Sequence, residues 1–257
     1  MKIYFMSLLL TLCANITYSQ TKVIAHRGFW DTENSAQNSI TALEKAQNLR
    51  IYGSEFDVQT TADGILVVNH DDTIGGMVIE DIIFDKLKDI KLNNGEKIPT
   101  LEQYLIAGQK DKNTQLILEI KPHKTKENED RTVSSTINLV KKYNMEDQVE
   151  YISFSLNVCK ELIRLSPKSQ IAYLRSDIPP KKLKDMGFTG LDYHYKVLLD
   201  MKPEWLAEAK SLGLSVNVWT VNDVETMKKL IEKKVDFITT DKPEKLKGLL
   251  IETFHKK

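Results

Sequence analysis

Short apolar runs alternate with longer amphipathic stretches through most of this chain. The runs are Val23–Ala25, Ser54–Val58, Leu116–Ile120, Val149–Ser155, Ile171–Leu174, Leu191–His194, Ser215–Thr220 and Phe237–Thr240. Each has the length of a strand. A further run, Ile65–Val68, follows the second so closely that local pairing with it is expected. Between the eight lie helical faces: Ile40, Leu43, Ala46 and Leu49; Ile137, Leu139 and Val140; Leu162, Ile163 and Leu165; Leu206, Ala209 and Leu212; Val224, Met227, Leu230 and Ile231. Strand–helix alternation predicts a parallel sheet with helical crossovers, and eight such units are the number that closes into a barrel. The predicted architecture is a single-domain α/β protein, a (β/α)8 TIM barrel with a small insertion after the second strand. An open doubly wound sheet is the alternative that alternation alone leaves standing.

Residues 1–20 break this pattern. Lys2 is a short positive start, Ile3–Cys13 carries no charge, and Thr17 and Ser19 suit cleavage before Gln20. This predicts a secretory signal peptide over residues 1–19, a domain over residues 20–257, and an exported protein, periplasmic or secreted. The apolar run is shorter than the roughly 20 residues of a membrane span. Retention of the segment as an anchor, or lipidation at Cys13, is the alternative, and bulky Leu12 argues against lipidation. Loss of the segment leaves one cysteine, Cys159, which cannot form an internal disulfide and is expected to be buried without a chemical role.

The chain's 257 residues suit one large α/β domain. Lys and Arg together number 36, as do Asp and Glu, so the formal net charge is zero. A nucleic-acid binder would show a basic excess, as would a cationic membrane-surface protein, and neither class is supported. The charged stretch His123–Arg131 reads as a solvated loop entering a helix, with His123 and His255 as loop and tail residues.

Active-site groups of such a barrel gather at the carboxyl ends of the strands. Polar residues do follow the apolar runs: His26 and Arg27, Glu55 and Asp57, Glu119 and Lys121, Ser155, Arg175, Asp192 and His194, Trp219, and Asp241. Glu55 and Asp57, two apart in a strand, face the same side about 7 Å apart along the chain. Two like charges held together need a cation or a proton between them. Glu119 on a neighbouring strand can add a third hard oxygen, a set suited to one divalent cation, Ca²⁺ or Mg²⁺. Ordinary ion pairing of these carboxylates to Lys or Arg is the bland alternative. His26 and His70 are each ambiguous alone. Two imidazoles beside a metal site are what acid–base cleavage of a phosphodiester requires. Three carboxylates and a divalent cation sum to one negative charge, which repels a phosphodiester; Arg27, as a fork, and Lys121, as a point charge, reverse that sign. Both can equally be ion-pair partners. Trp219 can pack on substrate carbons or cap the core, and His194 is expected to line the mouth.

These residues resemble a known family. Ala25-His26-Arg27-Gly28, Glu55-Phe56-Asp57-Val58-Gln59-Thr60, Asp63-Gly64, Val67-Val68-Asn69-His70-Asp71, Leu118-Glu119-Ile120-Lys121, Val218-Trp219-Thr220-Val221-Asn222 and Asp236–Pro243 are similar, in order and spacing, to the glycerophosphodiester phosphodiesterase family. Ile98-Pro99-Thr100-Leu101-Glu102 is similar to its segment before the second helix. The resemblance implies hydrolysis of small glycerophosphodiesters to sn-glycerol 3-phosphate and an alcohol. It implies Glu55, Asp57 and Glu119 as ligands of one divalent cation, His26 and His70 as the acid–base pair, and Arg27 and Lys121 on the phosphate. The family's usual Pro-Glu-Asn-Thr stands here as Ala36-Gln37-Asn38-Ser39, so Gln37 replaces a charged Glu, which bears on headgroup preference. The segment after His70-Asp71 is short, with Ile74, Met77, Val78 and Ile79 as a modest apolar lip. No nucleic-acid partner is implied, and membrane association only if the N-terminal segment is retained or lipidated. A phospholipid-cleaving barrel, a glycoside hydrolase using Glu55 and Glu119, and a non-catalytic binder are the competing readings. The glycosidase leaves His26, His70 and Arg27 unexplained.

Overall fold

The computed structural model describes residues 21–255, with side chains given to residue 252. The expected signal peptide, Cys13 and the side chain of His255 therefore lie outside the described residues. Eight parallel strands close a barrel: β1 (Lys22–Ala25), β2 (Gly53–Thr60), β6 (Gln115–Ile120), β7 (Val149–Ser153), β8 (Ile171–Tyr173), β9 (Gly190–His194), β10 (Ser215–Trp219) and β11 (Phe237–Thr240). Closure comes from β1, which pairs with β11 through Lys22↔Phe237 and with β2 through Ile24↔Gly53. Strand β3 (Leu66–Val68) pairs antiparallel with β2, as its closeness in sequence predicted. Around the barrel run α1 (Ile40–Asn48), α2 (Leu101–Gly108), α3 (Lys126–Lys142), α4 (Leu156–Leu165), α5 (Pro180–Asp185), α6 (Glu204–Ser211), α7 (Val224–Glu232) and α8 (Pro243–His255).

Capping chemistry sets several helix starts. Ser39, Thr125, Ser155 and Asp223 each accept a backbone N–H with the side chain at the N-cap of α1, α3, α4 and α7. Thr100 and Gln103 form a reciprocal capping box at α2. The charged stretch read as a loop entering a helix does so at Thr125. Helices α2, α5 and α8 had no matching apolar face in the sequence reading; α5 has only six residues and starts from Pro179-Pro180.

The period of two along each strand separates two cores. Outward residues such as Phe56, Val58, Leu116, Leu118, Leu191, Tyr193, Val216 and Val218 are buried against the helices. Inward Ile24, Ile117, Ile152 and Leu174 form a small plug inside the barrel. Full burial of each such side chain contributes about 1.5–3 kcal/mol. Cys159 sits fully buried on α4, and burial pushes its thiol up.

The insertion after β3 holds a small hairpin, β4 (Thr73–Ile74) with β5 (Met77–Val78), and two short 3-10 turns. It has its own core of Val67, Ile79, Leu87 and Ile98. Ile79 is fully buried there, and Ile74 and Met77 pack against it, so these residues anchor the insertion instead of forming a lip. His123 is likewise more than a loop residue. Its Nε2 accepts from the Thr60 amide at 3.1 Å and its Nδ1 pairs with the Lys121 carbonyl at 2.9 Å, which ties the ends of β2 and β6 together.

Gly28 shows how closely β1 approaches α1. Its φ is +78°, its amide donates to the carbonyl of Glu55 at 3.0 Å, and a Cβ there would lie 2.6 Å from Cβ of Ala42. Gly28→Ala is therefore expected to cost about 2 kcal/mol or more, from left-handed strain plus a clash with helix backbone. Urea unfolding of the two proteins measures this, and an unchanged midpoint would contradict it.

Candidate active site

The inward positions of several strands continue above the apolar plug as polar groups, while β7, β8 and their ends contribute Ile152, Phe154 and Leu174. Position by position, β2 supplies Glu55 and Asp57, β6 and its end supply Glu119 and Lys121, and the end of β1 supplies His26 and Arg27. Ligand oxygens of Glu55, Asp57 and Glu119 lie within 4.8 Å of one another. All three residues are buried, at 3%, 1% and 6% exposure. The structure thus brings together the three carboxylates singled out from the sequence.

Each carboxylate is held differently. The Arg27 amide donates to Oε2 of Glu55 at 2.7 Å. The Asn38 side chain donates to Oδ2 of Asp57 at 2.9 Å and accepts the Asp57 amide at 3.1 Å. Asn38 does this from a left-handed backbone, φ +62°, a conformation that Asn tolerates better than most residues. Lys121 Nζ lies 3.0 Å from Oε1 of Glu119 and 3.4 Å from Oδ1 of Asp57, yet neither oxygen receives a hydrogen bond of good geometry. Arg27 Nε stands 3.9 Å from Oδ2 of Asp57, while its Nη1 donates to Oε1 of Gln37 at 2.6 Å. The substituted position in the first-helix motif therefore still contacts Arg27, through a neutral amide.

Three negative groups in so small a volume cannot all ionise freely. Burial first, then repulsion from Asp57 and Glu119, pushes Glu55 well above the usual carboxylate range. Burial and the Asp57 charge push Glu119 up to about 7. Burial also opposes ionisation of Asp57, but Lys121, His70, the Asn38 hydrogen bond and Arg27 outweigh it and hold that carboxyl low. Two buried oxygens without hydrogen bonds, Oδ1 of Asp57 and Oε1 of Glu119, are the observation that fits a cation. All-oxygen ligation suits Ca²⁺ or Mg²⁺ and disfavours softer metals.

Two imidazoles border the same cavity, whose volume is about 120 Å³. His26 Nδ1 pairs with Oδ1 of Asp241 at 2.8 Å. That carboxylate is itself fixed by the indole N–H of Trp30 at 3.0 Å and the amide of Asn222 at 2.7 Å. The balance of these bonds against burial holds Asp241 down at about 2. His70 Nδ1 pairs with Asp71 at 2.7 Å, and burial lowers His70 below its ordinary value. With each Nδ1 engaged by a carboxylate, Nε2 is the nitrogen left for a ligand. The loop bearing His70 is pinned by Gln59, whose Nε2 points at the carbonyls of Asn69, His70 and Asp71 at 3.0, 3.3 and 2.7 Å.

Of the residues read from the sequence, His26, Arg27, Glu55, His70, Glu119 and Trp219 line this cavity. Asp57 and Lys121 sit beneath it, tied to each other and to Glu119, so Lys121 acts as their ion-pair partner. Trp219 is fixed by its indole N–H, which donates to the Asp192 carbonyl at 2.9 Å, and by edge-on contact with Phe154. His194 does not border the cavity; it packs edge-on behind Trp219 and stacks on Tyr195. The sequence reading gave no role to Asn38, Gln59, Asp241, Phe154 or Asp192. Asp241 and Asp192 did carry a signal, since both were among the polar residues read near strand ends; Asp192 lies within β9 and Asp241 just after β11. Two larger, open hollows lie at the amino ends of the strands, about 840 Å³ beside Arg50 and Thr114 and about 510 Å³ beside Lys22 and Ser215. Neither gathers imidazoles or clustered buried carboxylates.

Residues 26–245 match the model of the glycerophosphoryl diester phosphodiesterase family. The chain is 31% identical over 248 residues to a glycerophosphodiester phosphodiesterase of Caldanaerobacter subterraneus, covering 90% of this chain and 98% of the relative. Among solved structures it is similar to a glycerophosphodiester phosphodiesterase from Parabacteroides distasonis, at 51% identity and TM-score 0.90, covering 91% of this chain and 98% of that one. It is also similar to an Oleispira antarctica phosphodiesterase solved with its product sn-glycerol-3-phosphate, at 26% identity and TM-score 0.79, covering 91% and 97%.

Asp192 is buried on the far side of the cavity, and burial pushes it from the ordinary 3.8 up to about 8. Between those values the folded chain keeps a proton that the unfolded chain has released. Its contribution to stability therefore falls as pH rises across that window, by about 1.4 kcal/mol per pH unit. Asp192→Asn removes this term. Its stability advantage over wild type, measured by chemical denaturation in chelator, is expected to be larger at pH 7.5 than at pH 5. An equal difference at both pH values would show that Asp192 is not held protonated.

Proposed function

The chain belongs to the glycerophosphoryl diester phosphodiesterase family, and on that premise we propose that it hydrolyses glycerophosphodiesters to sn-glycerol 3-phosphate and an alcohol. The observation that carries this reading is the meeting, at one cavity, of two carboxylate-braced imidazoles and three clustered carboxylates. A glycosidase reading uses only two of those carboxylates and has no task for the imidazoles.

Glu55, Asp57 and Glu119 would hold one divalent cation, Ca²⁺ or Mg²⁺, which when bound neutralises charge on the phosphate oxygens. Arg27, at the cavity wall, orients the phosphate through its guanidinium. Lys121 balances the carboxylates from below and adds positive charge. In the first step one imidazole takes the proton of the attacking glycerol hydroxyl as its oxygen bonds to phosphorus. The other gives a proton to the leaving alkoxide as the P–O bond breaks. Water then opens the cyclic phosphate with the proton transfers reversed, so both imidazoles return to their starting state. Asp241 and Asp71 hold the rings in the tautomer with Nδ1–H, which keeps Nε2 available. Trp219 offers an apolar face to substrate carbons.

The reading extends to location. The composition of residues 1–19 supports an export segment removed before Gln20, leaving residues 20–257 as the working domain in the periplasm or outside the cell. No helix of the described residues is long and apolar enough to cross a membrane.

Chelation with EDTA is expected to abolish release of glycerol 3-phosphate from glycerophosphocholine, and Ca²⁺ or Mg²⁺ to restore it. His26→Ala and His70→Ala are each expected to lower kcat by about 10²–10⁴ while leaving the circular dichroism spectrum unchanged. Activity that survives chelation sinks the metal assignment. Near-normal turnover in either histidine variant sinks the acid–base assignment.

A further inference from the structure

Asp192 is an acidic side chain in a place where a phosphate enzyme has no evident use for one. Round the barrel the strands run β1, β2, β6, β7, β8, β9, β10 and β11, so β9 stands four places from β2 in either direction. Asp192 therefore faces the wall that bears Glu55. It borders the same cavity, between Ile152, Phe154 and Leu174 on one side and Trp219 on the other. The residue is 2% exposed, and its Oδ1 has no hydrogen-bond partner. The Trp219 indole does not satisfy it, because that N–H goes to the Asp192 backbone carbonyl. Asn217 on the neighbouring β10 is a side-chain hydrogen-bonding neighbour of the Asp192 carboxyl and also donates to Thr239 on β11 at 2.9 Å, yet Oδ1 itself stays unpaired.

A buried polar atom without a partner is costly, by about 1–3 kcal/mol, and its persistence beside a cavity calls for a ligand atom. A phosphate, which only accepts, is repelled by the ionised carboxylate and leaves the accepting oxygen of the protonated one unpaired. Arg27, which would meet the phosphate, comes from the end of β1, three strands away from β9. A hydroxyl is the right partner, and the surrounding apolar wall suits the carbons that carry it. The cavity, at about 120 Å³, has room for roughly four waters and hence for a short polyol arm. Building on the proposed hydrolysis, we propose that Asp192 is a specificity-determining residue: it hydrogen-bonds a hydroxyl of the three-carbon polyol arm and selects polyol phosphodiesters over diesters whose arm lacks hydroxyls. Recognition of this kind is strongly selective, since an arm without the hydroxyl leaves the buried carboxyl unpaired. Burial keeps the group protonated near neutral pH, so that it can donate as well as accept, and an amide in its place offers the same two functions.

The test is calorimetric titration of the full chain in saturating Ca²⁺ with sn-glycerol 3-phosphate and with propyl phosphate, which has the same carbon chain and no hydroxyls. Wild type is expected to prefer the glycerol ester by about tenfold or more. Asp192→Asn is expected to keep most of that preference, and Asp192→Leu, apolar and of similar size, to cut the ratio of the two affinities about tenfold. Asp192→Ala repeats the comparison if the leucine variant is unstable. A wild type without preference, or a leucine or alanine variant with the wild-type ratio, overturns the inference. Turnover of glycerophosphocholine by wild type, run in parallel, separates the two readings. Cleavage with a preference indifferent to Asp192 removes only the specificity role. An Asp192-dependent preference without cleavage removes only the hydrolase reading.

Discussion

Three carboxylates packed into one buried pocket set the terms for everything around them. Glu55, Asp57 and Glu119 are too close and too dry to share their charge without help. The help comes from several elements at once: a lysine from the end of β6, a backbone amide and guanidinium from the turn after β1, and an amide from the segment before α1. Removing any one leaves a buried charge less compensated, which is the expensive direction for such a network. The close approach of β1 to α1, made possible by Gly28, is what brings two of these elements within reach.

The same economy explains the imidazoles. Neither histidine stands alone; each has a carboxylate on Nδ1, and the deeper one has that carboxylate braced by an indole and an amide. The bracing residues come from the loop after β1 and the ends of β10 and β11, which are neighbours only because the barrel closes. His70 is steadied in another way, by a glutamine on β2 that holds the carbonyls of its own loop. Closure and the β2–β3 hairpin are thus as necessary to the chemistry as the rings themselves.

Much of this was legible in the sequence for a simple reason. In a parallel barrel the period of two and the strand polarity together say which side chain points inward and at which end. Glu55 with Asp57 and Glu119 with Lys121 could therefore be placed from their spacing, and the family resemblance named their partners. What escaped notice depends on contacts between distant segments. Asn38 clamps Asp57 from a left-handed turn, and nothing in its neighbours announces that turn. Gln59 looks like an ordinary strand residue until the His70 loop folds over it. His123 looked like part of a charged loop, because its two hydrogen bonds run to the ends of β2 and β6. The apolar residues of the insertion suggested an exposed lip, but Ile79 is covered by Leu87 and Ile98, which lie later in the chain.

Cys159 has a practical consequence. It is the one cysteine among the described residues, it is fully enclosed on α4, and its surroundings suppress the thiolate form that reacts with electrophiles. The folded domain is thus chemically silent toward maleimide reagents. A fluorophore or spin label can be attached at one engineered surface cysteine, on the insertion for example, without first stripping the native sulfur from the core.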